Sequence, residues 1–241
     1  MKKILLIALI SVIAFSQDYY KEALKYHKCL GVECDLEKAK ELYIISCNEK
    51  SYKACNNLAT IYNEENNPDS LQKAEYYYKL SCEYNNNDGI SCGNLGIFYS
   101  NTLKDDIKAE PYLFKGCKAN IKDACMQLAF VYINTNTNLD RTAKIFEHYC
   151  KLNDQNSCFN LGQLYLYNDK MKNEKLGFEN HLKACNMDNA ISCKNIAILY
   201  VKHNNLFKAF KYFKKSCGLG EQEDCKKALS IVIHFIKNLK N

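Results

Sequence analysis

Ser70-Leu-Gln-Lys73 is the string in this chain that comes nearest to an activated nucleophile. A serine hydroxyl with a lysine one helical turn away is how serine enzymes open β-lactams, and it works with Ser-Asp-Asn and Lys-Thr-Gly elements close by. Neither element occurs here. Ser70 follows Pro68-Asp69 and precedes a Lys-Ala helix, so it is expected to cap that helix rather than react. Ser70 and Lys73 are therefore weak catalytic candidates without a supporting set, and the chain leans away from being an enzyme. The five histidines (His27, His148, His181, His203, His234) are far apart and are each read as surface or packing residues. The fourteen cysteines include no Cys-x-x-Cys, which argues against zinc. There is no Gly-rich phosphate loop, and Arg141 is the sole arginine among 33 basic residues, which disfavours nucleic-acid recognition. No metal and no cofactor is expected.

One polar constellation recurs. Asn57, Asn94, Gln127, Asn160 and Asn195 each lie two residues after a cysteine. Asn is a poor residue for a helix interior, so its repetition needs a reason. If this face lines a concavity, the amides hold an extended peptide backbone. Alternatively, each amide ties down its own inter-repeat loop. Both readings use the same chemistry, and the sequence leaves both open.

The amides ride on a repeat. Five cysteine pairs are spaced by eight: Cys47 and Cys55, Cys117 and Cys125, Cys150 and Cys158, Cys185 and Cys193, Cys217 and Cys225. Cys82 and Cys92 are spaced by ten, and the mean period is about 34 residues, as in helical-pair arrays. After the second cysteine of five pairs comes one helix pattern: Leu58-Ala59-x-x-Tyr62, Leu95-Gly96-x-x-Tyr99, Leu128-Ala129-x-x-Tyr132, Leu161-Gly162-x-x-Tyr165 and Ile196-Ala197-x-x-Tyr200. Leu or Ile and Tyr share a face, and the small residue lets a neighbouring helix approach. Before the first cysteine a second helix recurs, with Ala39, Ala74, Ala109, Gly177 and Ala209 eight residues upstream. Ala143 is seven upstream, which suggests a lost residue, and Pro111 is expected to kink its helix or delay its start. Asn-rich stretches between the helices suit turns.

Neither helix buries its apolar stripe alone, so an all-α, αα-repeat solenoid is expected. Each cysteine pair then joins the end of one helix to the first turn of the next, where a bridge is feasible. A closed loop this short stabilises by about 2.5 kcal/mol in the chain-entropy account. Cys29 and Cys34 flank a loop instead, where a local bridge is expected.

The ends read differently. Lys2-Lys3, the apolar run from Ile4 to Phe15 and the small residues of Ala14-Phe15-Ser16 have the build of a signal peptide, residues 1–16, cleaved after Ser16. An apolar first helix is the other reading; a lipid anchor fails for want of a nearby cysteine. Export delivers all fourteen cysteines to an oxidising compartment, so a secreted or periplasmic protein is expected. Residues 17–225 carry the repeats. Residues 226–241, with Ile231-Val-Ile-His-Phe-Ile236, are read as a C-terminal capping helix, a membrane-surface helix being the weaker option. Over 241 residues, 47% hydrophobic and 25% charged residues with a net charge of +6 exclude disordered and collagen-like classes. A monomer without stable membrane insertion is expected.

The Leu-Ala/Gly-x-x-Tyr helix, the Lys-Ala-x-x-Tyr/Phe helix and the cysteine pairs spaced by eight resemble the Sel-one-like repeats of secreted Helicobacter cysteine-rich proteins. Gly31-Val32-x-x-Asp35-x-x-Lys38-Ala39 matches that family's loop-to-helix step, while the later loops lack its Gly pairs. The resemblance covers the chain after residue 16. It implies a right-handed αα superhelix with one disulfide per repeat, exported from bacteria. Two activities come with it: binding a peptide or protein partner of host or cell envelope in a concave groove, or penicillin binding with slow β-lactam hydrolysis.

Overall fold

Helices account for nearly all of the structure. The computed structural model describes residues 18–85 and 89–239, with side chains as far as His234; the segment read as a signal peptide lies outside the described residues. Two compact units divide between Thr135 and Asn136. The first contains α1 (18–28), α2 (Leu36–Asn48), α3 (Tyr52–Glu65), α4 (Pro68–Tyr84), α5 (Ile90–Asn101), α6 (Asp106–Lys118) and α7 (Lys122–Asn134). The second contains α8 (Leu139–Lys151), α9 (Gln155–Tyr167), α10 (Glu174–Asn186), α11 (Ala190–Lys202), α12 (Leu206–Gly218) and α13 (Gln222–Leu239). The described residues contain no strand. The fold is all-α, with helix pairs repeated along the chain and about one disulfide to each.

The spacing of eight follows from how one helix stops and the next starts. Each of these five junctions closes with a backbone bond from the residue four after the first cysteine to the carbonyl just before it, as in Ser51 N–H to Ser46 O at 3.1 Å and Asn189 N–H to Ala184 O at 3.0 Å. The residue three after that cysteine is left-handed every time: Lys50, Asn120, Asn153, Asp188 and Gly220. That is the reversal by which a helix satisfies its last carbonyls. The next helix then starts at once, and its first turn brings the second cysteine back to the first.

The structure bonds all seven pairs. Cys47 is joined to Cys55 with Cα atoms 4.9 Å apart, Cys82 to Cys92 at 4.5 Å, and Cys117 to Cys125 at 4.4 Å. Cys150 is joined to Cys158 at 4.6 Å, Cys185 to Cys193 at 4.8 Å, and Cys217 to Cys225 at 4.9 Å. The loop pair, Cys29 and Cys34, is bonded at 4.7 Å. Cys55, Cys92, Cys158 and Cys193 are fully buried and Cys125 is nearly so, whereas Cys225, in the last junction, is half-buried. The wider spacing of Cys82 and Cys92 therefore ends in the same bridge as the spacing of eight.

Asp or Asn side chains cap most of the helices that end in a first cysteine: Asp35, Asn67, Asp105, Asn173 and Asn205 each accept a bond from the amide three residues on. Asn67, not Ser70, is thus the cap of α4. Pro68 favours the first helical position, where its missing N–H costs nothing, and this fixes the start three residues earlier than expected.

Packing follows the small-residue pattern. Leu58, Leu95, Leu128, Leu161 and Ile196 are buried, as are Ala59, Ala129 and Ala197. A Cβ at Gly96 would lie 2.7 Å from Leu113, and one at Gly162 would lie 2.8 Å from the His181 ring, so glycine is what lets these helix pairs close. No residue is missing from α8. Thr142, eight before Cys150, is fully buried at the Ala position and Phe146 follows four later, so a small β-branched residue substitutes for Ala. Its hydroxyl bonds the Asn138 carbonyl. Pro111 does not delay α6, which begins at Asp106. Proline there removes one bond, to the carbonyl of exposed Ile107, which water can serve. At the C-terminus α13 begins at Gln222 and runs without a break; its Ala228 and Ile231 join Ala197, Ala209 and Phe213 in one cluster.

Candidate functional site

The helices with a second cysteine in their first turn carry the recurring amides, of which Asn57, Asn94, Gln127 and Asn160 are half-buried and Asn195 is buried. In the first unit Asn57 donates from Nδ2 to the Tyr43 hydroxyl (3.2 Å), Asn94 from Nδ2 to Asn56 Oδ1 (2.8 Å) and Gln127 from Nε2 to Ser100 Oγ (2.8 Å). In the second unit Asn195 donates from Nδ2 to Gln163 Oε1 (3.1 Å) and sits 3.3 Å from His181 Nε2, while Asn160 lies half-buried on α9. Asn94, Gln127 and Asn195 therefore link α3 to α5, α5 to α7, and α9 to α11. Side-chain donors used this way lock successive repeats in register, which gives an amide in mid-helix a physical reason to persist.

Among the five amides, Asn94 also lines a cavity. It measures about 290 Å³ and is walled by Thr60, Asn63, Tyr78, Asn94, Ile97, Phe98, Asn101 and Thr102. No charged side chain enters that wall. Thr60 Oγ1 bonds the Asn56 carbonyl (3.0 Å) and meets the Tyr78 hydroxyl (3.2 Å), while Thr102 Oγ1 donates to Asn63 Oδ1 (3.1 Å). That last bond holds the Asn63 amide in place while engaging only its oxygen. Burial pushes the Tyr78 phenol above its ordinary range, so it stays a neutral hydroxyl. Asn63 was read only as part of an Asn-rich turn, and Asn101, Thr60 and Thr102 carry no shared spacing; only the placing of α3 beside α5 brings the four together.

Ser70 and Lys73 share α4 but make no reactive pair. Ser70 is buried; its backbone N–H donates to Asn67 Oδ1 (3.0 Å), its Oγ accepts from Asn67 Nδ2 (2.9 Å), and its hydroxyl donates to Glu65. The bonds from Ser70 and Lys40 hold Glu65 below the usual carboxylate range, which makes it a poorer base. Lys73 Nζ lies 5.3 Å from the centroid of the Tyr62 ring, and its charge acts on Glu65 instead of engaging the Ser70 hydroxyl. A hydroxyl enclosed by its own capping network has no path to a substrate carbonyl, so the geometry gives no support to β-lactam chemistry.

His181 is a packing residue. It is fully buried on α10, with Nδ1 3.1 Å from Ser192 Oγ and Phe159 edge-on at 5.7 Å. The Asn195 amide donor faces Nε2, so Nε2 accepts and Nδ1–H donates to Ser192, with no charge on the ring. Burial pushes its pKa down to about 4. No group of three or more His, Cys, Asp or Glu suited to a metal occurs among the described residues. No helix among them is long and apolar enough to cross a membrane.

No family model matches the sequence, and no curated protein is similar to it. Solved structures do resemble the fold. A protective antigen of uropathogenic Escherichia coli with an SLR fold aligns over 92% of this chain at 19% identity and a TM-score of 0.53; the chain spans 57% of that antigen's length. A Sel1 repeat protein from Oxalobacter formigenes aligns over 79% of this chain and 82% of its own, at 14% identity and a TM-score of 0.54. YrrB, described as a TPR protein with an unusual peptide-binding site, aligns over 80% of this chain and 96% of its own, at 16% identity and a TM-score of 0.56.

Proposed function

We propose, from the premise that this chain has the αα-repeat fold of Sel1 and tetratricopeptide proteins, that it is an exported, disulfide-clipped scaffold that binds an extended segment of a protein partner. The observation that carries this reading is the uncharged cavity between α3 and α5. Amide and hydroxyl groups at Asn63, Asn94, Asn101, Thr60 and Thr102 beside Ile97 and Phe98 match what a peptide main chain presents, donors and acceptors alternating with apolar side chains. YrrB, with a similar fold, is described as having an unusual peptide-binding site. Seven disulfides fit an oxidising, extracytoplasmic location, and host or envelope proteins are the partners such a location offers.

Selection of peptides by display against the oxidised protein tests the reading. Selected peptides are expected to lose about tenfold in affinity to Asn101→Ala and to Asn63→Ala, the effect of losing a hydrogen-bonding partner, with unchanged far-UV circular dichroism. Affinities untouched by both substitutions would remove the cavity from the binding surface.

A further inference from the structure

A second cleft, in the second unit, has the opposite chemistry. It encloses about 350 Å³ between Glu174, Lys175 and Phe178 of α10, Leu199 and Tyr200 of α11, and the turn at His203 and Asn205. Its floor is aromatic. Phe178 meets Tyr200 edge-on with centroids 5.5 Å apart, and Tyr200 stacks on Tyr212 of α12 at 5.6 Å. Its rim is cationic, with Lys208 lying 5.3 Å over the Tyr200 ring and Lys175 in the wall. Glu174, the one carboxylate in that wall, is already bonded to Lys202 and His203, and those bonds hold it below the usual carboxylate range. The Lys175 ammonium has no hydrogen-bond or ion-pair partner among the described residues. An adjoining hollow of about 360 Å³ shares His203 and Asn205 and is walled further by Asn204, Leu206 and Phe207, the last 75% exposed, so the concave surface continues past one side chain's length.

An apolar floor under a rim with unanswered positive charge selects an occupant with a ring and a carboxylate, and the continuing surface favours a chain over a small acid. We propose that this cleft docks a peptide segment in which an aromatic residue is followed by an acidic one, the ring against Phe178 and Tyr200 and the carboxylate at Lys175. It is a site separate from the uncharged cavity of the first unit.

Chemical-shift titration of the full oxidised chain with Ac-Phe-Glu-NH2, Ac-Phe-Gln-NH2 and Ac-Phe-Lys-NH2 tests it. The acidic peptide is expected to give saturable shifts in α10, α11 and the start of α12. The Gln peptide should bind about threefold more weakly, the scale of one exposed ion pair, and the Lys peptide more weakly still. Lys175→Gln, a surface change that leaves packing intact, should erase the Glu–Gln difference, and added salt should shrink it in the wild type. Phe178→Ala should abolish binding of all three. Equal affinities for the three peptides, shifts outside these helices, or a Glu preference that survives Lys175→Gln would overturn the proposal.

Discussion

His181 occupies the position four before a first cysteine, which the other repeats fill with Tyr43, Tyr78, Leu113, Phe146 and Phe213, all buried. An imidazole fits there because Gly162 clears space for the ring and Ser192 and Asn195 satisfy both nitrogens. Only the neutral ring is accommodated. With a folded pKa of about 4 against an ordinary 6.5, the unfolded chain takes the proton first, so stability from this group is complete above about pH 6.5 and is lost as pH falls toward 4. Those two values correspond to roughly 3 kcal/mol of stability lost across that window. His181→Leu should remove this component, because leucine meets Gly162 as Leu113 meets Gly96. Urea unfolding at pH 7 and pH 4.5 measures it: the variant is expected to lose markedly less stability between the two conditions. Equal losses in the two proteins would show that His181 does not set the acid response.

At the scale of elements, the junctions are governed by one backbone conformation. Asn120, Asn153 and Gly220 suit the left-handed residue of the turn; Lys50, at φ 65°, does not. Lys50 is exposed on the turn between α2 and α3, so Lys50→Gly is expected to relieve that cost at little loss of contact. A gain of about 0.5–1 kcal/mol follows, visible as a raised Tm in thermal unfolding of the oxidised protein; a lowered Tm would contradict it. The same element scale decides what could be read in advance. The cysteine ladder and the Leu-Ala/Gly-x-x-Tyr helices were legible because each position repeats with the same neighbours. The start of α4 was misplaced because Ser70 and Asn67 are both good caps, and Pro68 settles the choice in favour of Asn67. The repeat at α8 looked shortened because Thr142 does Ala's packing under another name. The walls of both cavities could not be assembled in advance: Asn94 and Tyr200 stood in the repeat and His203 among the isolated histidines, but Asn101 and Phe178 share no periodicity with them. Their meeting depends on helices folded side by side, not on spacing along the chain.

For the molecule as a whole, the consequence is that stability is distributed locally. In an array each helix contacts mainly its chain neighbours, and each disulfide closes one junction. Within the second unit, the bond between Cys185 and Cys193 joins α10 to α11, and both cysteines are fully buried. Lys215 reaches across from α12 to the Cys185 carbonyl at 2.7 Å, just as Lys183 reaches from α10 to the Cys150 carbonyl at 2.7 Å. These lysines place positive charge at a neighbouring helix's C-terminus, where its dipole favours it. They also carry the effect of a lost clip one helix further. Replacing Cys185 and Cys193 together by Ala should therefore cost about 2.5 kcal/mol locally. Hydrogen exchange read by mass spectrometry should show faster uptake in α10 and α11, a smaller rise in α8, α9 and α12, and rates near wild type in α13. The gradient is the point of the measurement. A uniform rise through all six helices would mean that the second unit unfolds as one cooperative body, and that its disulfides act globally instead of junction by junction.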